Sequence, residues 1–177
     1  MTPRPPALPL SPAALARLDR ADFLEIFGGV FENAPWVAEA AWNLAPFTGL
    51  EQLHAAMVGV MRAATRERQS ALIRGHPDLA GKAAIAGAVT AESREEQASA
   101  GLDQCAPEEF AELQACNQAY RDKFGFPFIM AVKGRNRHDI LAAFAARHGN
   151  TPEAEFHRAL DEIARIARLR LADLVRD

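Results

Sequence analysis

Residues 151–176 read TPEAEFHRALDEIARIARLRLADLVR, and their apolar positions return every three or four residues. Phe156, Leu160, Ile163, Ala167, Leu171 and Leu174 fall on one face at the 3.6-residue period, with Arg165, Arg168 and Arg176 on the opposite one. Thr151-Pro152 opens the segment with a capping hydroxyl and a proline whose fixed φ suits the first helical turn. The pattern predicts a long amphipathic helix over 152–176 with one side in a core. Arg170 breaks the pattern, because it lies inside the apolar stripe, about 40° from its centre at 100° per residue. A guanidinium on a core-facing stripe needs an anion. The partner can be a protein carboxylate in a structural ion pair, or solvent reached by snorkelling. It can equally be a ligand carboxylate held by the planar fork.

Working back from that helix, residues 137–148 form another, ended by Gly149. FPFIMAV, residues 126–132, is apolar, contains proline and is too short for a helix, so it reads as a lone extended segment. Residues 107–124 form a long helix with Gly125 placed to close it. Residues 90–101 are helical and contain Ser93-Arg94-Glu95-Glu96, a capping-box pattern. Residues 75–89, GHPDLAGKAAIAGAV, have no period and read as loop. Residues 66–74 continue a helical region capped by Thr48, with Leu50, Leu53, Met57, Val60 and Met61 as its apolar stripe. Residues 35–44 give a helix with Trp36, Ala40 and Leu44 in register, and 22–27 a short one before Gly28-Gly29. Ser11-Pro12 opens a first helix running to about residue 19. Prolines at 3, 5, 6 and 9 make residues 1–10 a disordered tail. The expectation is an all-α chain, one domain over 11–177 built from about eight helices, with no linker or repeat.

Composition narrows the function. The chain has 177 residues, 49% of them hydrophobic, with a formal net charge of -3 and cations interspersed among anions. That balance lacks the basic stripe that nucleic acid or an anionic membrane requires, leaving small molecules or proteins as partners. Cys105 and Cys116 form no CxxC pair and read as reduced thiols, which favours a cytoplasmic location. No stretch has the apolar length of a membrane span or a signal-peptide core.

Few residues carry a chemical signal by themselves. His76 sits in a Gly-His-Pro-Asp turn where Pro77 stiffens the backbone and disfavours helix. Such a histidine is either an exposed loop residue or a held acid–base group. Glu51-Gln-Leu-His54 has the Glu-x-x-His spacing of carboxylate metal bundles, but no second copy accompanies it. His138, His148 and His157 supply no close ligand pair, so no metal site is expected. Nucleophile elbow, P-loop and dinucleotide fingerprint are all absent.

Read together, five strings carry more than each alone: GHPDLAGKAA at 75–84, TAESREEQASAGL at 90–102, AYRDKFG at 119–125, FPFIMAVKGR at 126–135, and ARLRL at 167–171. In this order and at these separations the chain resembles the 2-oxo-4-hydroxy-4-carboxy-5-ureidoimidazoline (OHCU) decarboxylase family of urate breakdown, over nearly everything after the proline-rich tail. The resemblance implies an all-α fold and cofactor-independent decarboxylation of a small molecule to (S)-allantoin, in a homodimeric enzyme. It places the catalytic histidine on His76, beside a substrate-contacting Pro77, and the Ser-x-x-Glu-Gln group on Ser93, Glu96 and Gln97. It gives backbone contacts from Phe128, Ile129, Met130, Ala131 and Val132, in a segment lining the pocket, and puts the functional arginine on Arg170. Lys82 and Met130 fall where the family varies.

Overall fold

The computed structural model describes residues 7–80 and 89–176. Among these, nine α-helices follow one another: α1 (Pro12–Leu15), α2 (Arg20–Phe27), α3 (Trp36–Ala41), α4 (Leu50–Ala63), α5 (Arg66–Arg74), α6 (Ala91–Ser99), α7 (Pro107–Phe124), α8 (Arg137–His148) and α9 (Pro152–Leu174). Two 3-10 turns, Trp42–Leu44 and Leu102–Gln104, complete the regular structure. The all-α expectation holds. Most of the loop expected over 75–89, Lys82 included, and the first six residues lie outside the described residues.

The chain divides into two compact units, Met1–Leu72 with Ala164–Asp177, and Ile73–Ile163. The divisions fall inside α5 and α9 rather than in a glycine- or proline-rich linker, so composition alone gave no boundary.

The first unit is built around an aromatic cluster in which Phe23 packs on Phe27, Trp42 and Phe47 with ring centroids 4.9, 5.2 and 5.8 Å apart. Leu50, Leu53, Met57 and Met61 form the buried stripe of α4. Three local readings change here. Thr48 does not cap α4; its amide and hydroxyl both donate to Gln52 Oε1, at 2.9 and 3.1 Å, and Gly49 occupies the cap position. The buried face of α3 is Val37, Ala38 and Ala41, while Leu44 is left exposed. Apolar residues surround nearly the whole of α3, so periodicity did not pick a face; Glu39 and Asn43, which Trp36, Ala40 and Leu44 flank, mark the outer one. Trp36 is covered instead by the Arg68 guanidinium, 5.0 Å above its ring. Leu10, counted with the tail, is buried and exchanges backbone hydrogen bonds of 2.8 Å with Leu174 and Arg176, which holds the chain end beside a short parallel bridge to Val175.

Glu51 and His54 are also explained. Glu51 pairs with Arg168, and His54 Nε2 donates to the Ala164 carbonyl at 2.8 Å, so the Glu-x-x-His spacing serves contacts between α4 and α9. Among the described residues no three His, Cys, Asp or Glu side chains gather where they could hold a metal ion, and no helix is long and apolar enough to cross a membrane.

In the second unit, local sequence again sets the helix ends. Thr90 Oγ1 accepts from the Ser93 amide at 3.3 Å, so Thr90 caps α6 and Ser93, read from the sequence as the start of a capping box, lies within its first turn. Gly125 closes α7 at φ +76°, donating to the Arg121 carbonyl at 2.8 Å. Asn136 and Asp139 cap α8 reciprocally, each side chain taking the other's amide, at 3.1 and 3.0 Å.

Candidate active site

The turn that carries His76 follows directly from its sequence. α5 ends at Arg74, the His76 amide still reaches the Ile73 carbonyl at 3.3 Å, and Pro77 prevents a further helical turn. The imidazole is buried, only 7% exposed, so the reading of His76 as an exposed loop residue is set aside. The following residues are held group by group. Asp78 pairs with Arg121 at 2.9 Å, and the Leu79 carbonyl accepts from Asn117 Nδ2 at 2.8 Å. The Ala80 amide donates to Gln97 Oε1 at 2.9 Å, and its carbonyl accepts from Gln114 Nε2 at 2.7 Å. Ala80 has φ +50°, a left-handed conformation disfavoured for a residue with a Cβ and held here by bonds on both sides of its Cα.

Ser93 and Gln97, one turn apart on α6, are both buried, and Glu96 beside them is half-buried. Neither Ser93 nor Gln97 is a solvated surface side chain. Gln97 is anchored to the His76 turn through Ala80, so that turn and α6 are tied together by this hydrogen bond.

Residues 127–132 adopt no helix, and Phe128, Ile129 and Val132 are buried while Met130 and Ala131 are half-buried. Two of the segment's backbone groups are gripped by buried charge. Arg147 Nη1 donates to the Ile129 carbonyl at 2.7 Å, and the Ala131 amide donates to Glu162 Oε2 at 2.9 Å. Phe128 is sandwiched, stacked on Phe144 at 3.8 Å with the Arg147 guanidinium 4.3 Å from its ring centroid.

Arg147 is fixed in turn by Glu155, which is fully buried and accepts from Arg147 Nε and Nη2 at 3.1 and 2.9 Å. Tyr120 and Asn150 also donate to Glu155. Burial pushes the Glu155 carboxyl up, but bonds from Arg147, Tyr120 and Asn150 outweigh it and leave the carboxyl below its ordinary value. Burial, with the bond to Glu155, carries the Tyr120 phenol far above its ordinary value, so it acts as a neutral donor.

A folded-state value below the unfolded one means that ionised Glu155 favours folding. Its contribution is complete above the ordinary carboxylate range and disappears as pH falls through that range toward the folded value. Glu155→Gln leaves the Arg147 guanidinium buried without its anion, and about 3–5 kcal/mol of stability should be lost at neutral pH. In urea denaturation the gap between wild type and variant should narrow as pH drops below about 4. A gap independent of pH would contradict this account.

Arg170 belongs to the first unit. Its Nη1 donates to Glu32 Oε2 at 3.0 Å and to the Val30 carbonyl at 3.4 Å, with both charged side chains almost wholly buried. The anion that the helical stripe demanded is therefore present as a protein carboxylate.

Sequence reasoning passed over Asn117, Arg147, Glu155, Glu162 and Glu32. A signal existed for some. Leu113, Asn117, Tyr120 and Phe124 form the buried stripe of α7, and Glu155 and Glu162 lie on the buried side of α9, each a polar residue at a core position like Arg170. An open cleft of about 600 Å³ between α8 and α9 is lined by Ala143, Ala146, Ala154, His157 and Arg158 among others, and no predicted site residue is among its lining.

The fold and this constellation describe an all-α protein with a buried histidine turn and a charge-gripped apolar segment. The chain belongs to the OHCU decarboxylase family, whose sequence model matches residues 16–172. It is 43% identical over 157 residues to a 2-oxo-4-hydroxy-4-carboxy-5-ureidoimidazoline decarboxylase of Haloferax volcanii, covering 89% of this chain and 91% of that one. The mouse (Mus musculus) protein of the same name is 39% identical, covering 89% of each chain. A uric acid degradation bifunctional protein of Bacillus subtilis is 42% identical, over 91% of this chain and 32% of its own. Among solved structures, an (S)-allantoin synthase superposes with a TM-score of 0.74 at 29% identity, covering 95% of this chain and 54% of that one. An OHCU decarboxylase crystallised in the presence of (S)-allantoin shares the fold, with a TM-score of 0.62 at 22% identity over 78% of this chain and 89% of that one.

Proposed function

We propose that this protein decarboxylates OHCU to (S)-allantoin and CO2 in urate degradation, without metal or organic cofactor, as a cytoplasmic homodimer. Membership of the family carries this reading, supported by relatives whose names state the reaction over nine-tenths of the chain. The buried His76, anchored to the helix of Ser93, Glu96 and Gln97, is the observation that favours acid–base chemistry at this turn.

The chemistry follows from the substrate. Its departing carboxylate sits on a carbon adjacent to a ring C=N, so the electron pair of the breaking C–C bond flows into the imine and no external electron sink is needed. The imine nitrogen takes up a proton as the pair arrives, and the hydroxyl then gives up its proton and becomes a carbonyl as the enol accepts one on the neighbouring ring carbon. Adding that proton to one face gives (S)-allantoin. His76, oriented by Glu96, handles the proton. Ser93 hydrogen-bonds the ureido or ring polar atoms beside Pro77. Gln97 has its carbonyl oxygen committed to Ala80, so its contribution to the ligand falls to its amide group. Phe128, Ile129, Met130, Ala131 and Val132 fix the substrate plane through backbone groups other than the Ala131 amide, which Glu162 takes. Arg170, whose Nη1 holds Glu32 and the Val30 carbonyl, grips the anionic, carbonyl-rich substrate through its planar guanidinium.

The test is to generate the unstable substrate in situ from urate and follow CO2 release and allantoin formation with and without the protein. Dialysis against chelator beforehand should leave the rate unchanged. A loss that one particular metal restores would overturn the cofactor-free mechanism.

A further inference from the structure

On α7, Gln114, Asn117 and Arg121 follow one another at spacings of three and four, which places them on one face of the helix. All three hold the stretch just after the candidate catalytic histidine: Arg121 takes the Asp78 carboxylate, Asn117 Nδ2 the Leu79 carbonyl, and Gln114 Nε2 the Ala80 carbonyl. Asn117 is the unusual member. It is 3% exposed, lies in the apolar stripe between Leu113 and Tyr120, and its Oδ1 has no hydrogen-bond partner among the described residues. An asparagine that buries an orphaned acceptor in order to place one donor is a poor choice for stability alone. A leucine of similar size would fill the stripe without that penalty. What asparagine adds is a directed bond to the Leu79 carbonyl, three residues from His76, next to Ala80 at φ +50°. The bond therefore fixes the path of a turn whose conformation is not the one its residues prefer.

We propose that Asn117, supported by Gln114 and Arg121, is a positioning residue for His76. It sets the direction in which the imidazole presents its proton and does not itself touch the substrate. The inference rests on the reading of His76 as the group that handles the proton. It adds a specificity element, because a histidine held loosely would deliver its proton to either face of the intermediate.

The variant that separates positioning from stability is Asn117→Leu, with Gln114→Leu, at a half-buried position, as the second arm. In protein labelled with 13C-histidine, the His76 ring resonance is assigned by its loss in His76→Asn. In Asn117→Leu this resonance should move while the other four histidines stay in place. Thermal stability should change little, kcat should fall roughly ten- to a hundredfold, and the enantiomeric excess of allantoin should drop. KM should stay within about threefold, since uniform binding is untouched. Gln114→Leu should shift kcat and the resonance in the same direction by less, and it decides the matter if Asn117→Leu does not fold. A lower melting temperature with unchanged kcat per folded molecule and an unmoved His76 resonance would show a merely structural asparagine and overturn the proposal. If wild type is active, unchanged kcat overturns it even where the resonance moves. If wild-type protein makes no allantoin yet the resonance moves, the decarboxylase reading fails and the positioning role stands.

Discussion

His76→Asn and Glu96→Gln should each lower the enzymatic rate of (S)-allantoin formation by on the order of 10²-fold or more, and the double variant should be little worse than the poorer single one. If His76 transfers the proton and Glu96 orients it, removing either disables the same step, so their effects cannot add. Both substitutions are nearly isosteric, and circular dichroism should show folded protein. Product stereochemistry gives a second readout that does not depend on rate. Protonation in achiral water has no facial preference, so each variant should drift toward racemic allantoin as the uncatalysed route overtakes the enzymatic one. Full rate and full (S)-selectivity in a folded His76→Asn protein would move the proton transfer elsewhere, with Glu96 or a water the next candidate. His76 would then be a buried residue of the turn and nothing more.

How much of this could be read from residues alone divides by physical cause. Segments whose pattern had one solution were legible. The face of α9 at Phe156, Leu160, Ile163, Ala167 and Leu171 is buried as the 3.6-residue period requires, and Gly125 ends α7 in the left-handed conformation expected of it. Segments with two solutions were not. Apolar residues ring most of α3, so its inner face, Val37, Ala38 and Ala41, was set by packing, and the register of Trp36, Ala40 and Leu44 did not pick it out. Thr48 and Ser93 look like caps in sequence, yet Gly49 and Thr90 hold those positions, because a hydroxyl near a helix start has several amides within reach. Leu10 was assigned to the tail because its neighbours are prolines, but its own amide and carbonyl find partners at the far end of the chain. The same limit applies at the site. That Arg170 needs an anion was visible from a helical wheel; that Glu32 supplies one is a contact across 138 residues, which no local pattern encodes. His76, Ser93, Glu96 and Gln97 stood out through motif strings. The groups that grip their surroundings, Asn117, Arg147, Glu155 and Glu162, act over long sequence separations and show only as polar residues at core positions.

Arg170→Lys should lower kcat/KM by roughly one to two orders of magnitude while the protein remains folded. Lysine keeps the charge and can still face Glu32 as a point charge, so the ion pair is weakened rather than abolished. What it loses is the planar fork, which is the feature able to hold Glu32 with one part and a carbonyl-rich substrate with another. A purely structural arginine makes the opposite forecast: the melting temperature falls and kcat/KM per folded molecule is unchanged. Wild-type kinetics in Arg170→Lys would therefore assign the residue to Glu32 alone and remove it from the list of substrate contacts. The comparison with Glu32→Gln sharpens this, since loss of the carboxylate leaves a buried cation without that anion, and stability should suffer most there.

The most direct test of the central claim is the enantiomeric excess of allantoin formed when OHCU is generated in situ from urate in the presence of the purified protein. The protein should accelerate loss of the substrate with release of CO2 and yield overwhelmingly (S)-allantoin, against a racemic product in the reaction without protein. Racemic allantoin formed at the uncatalysed rate, from correctly folded protein, would contradict it.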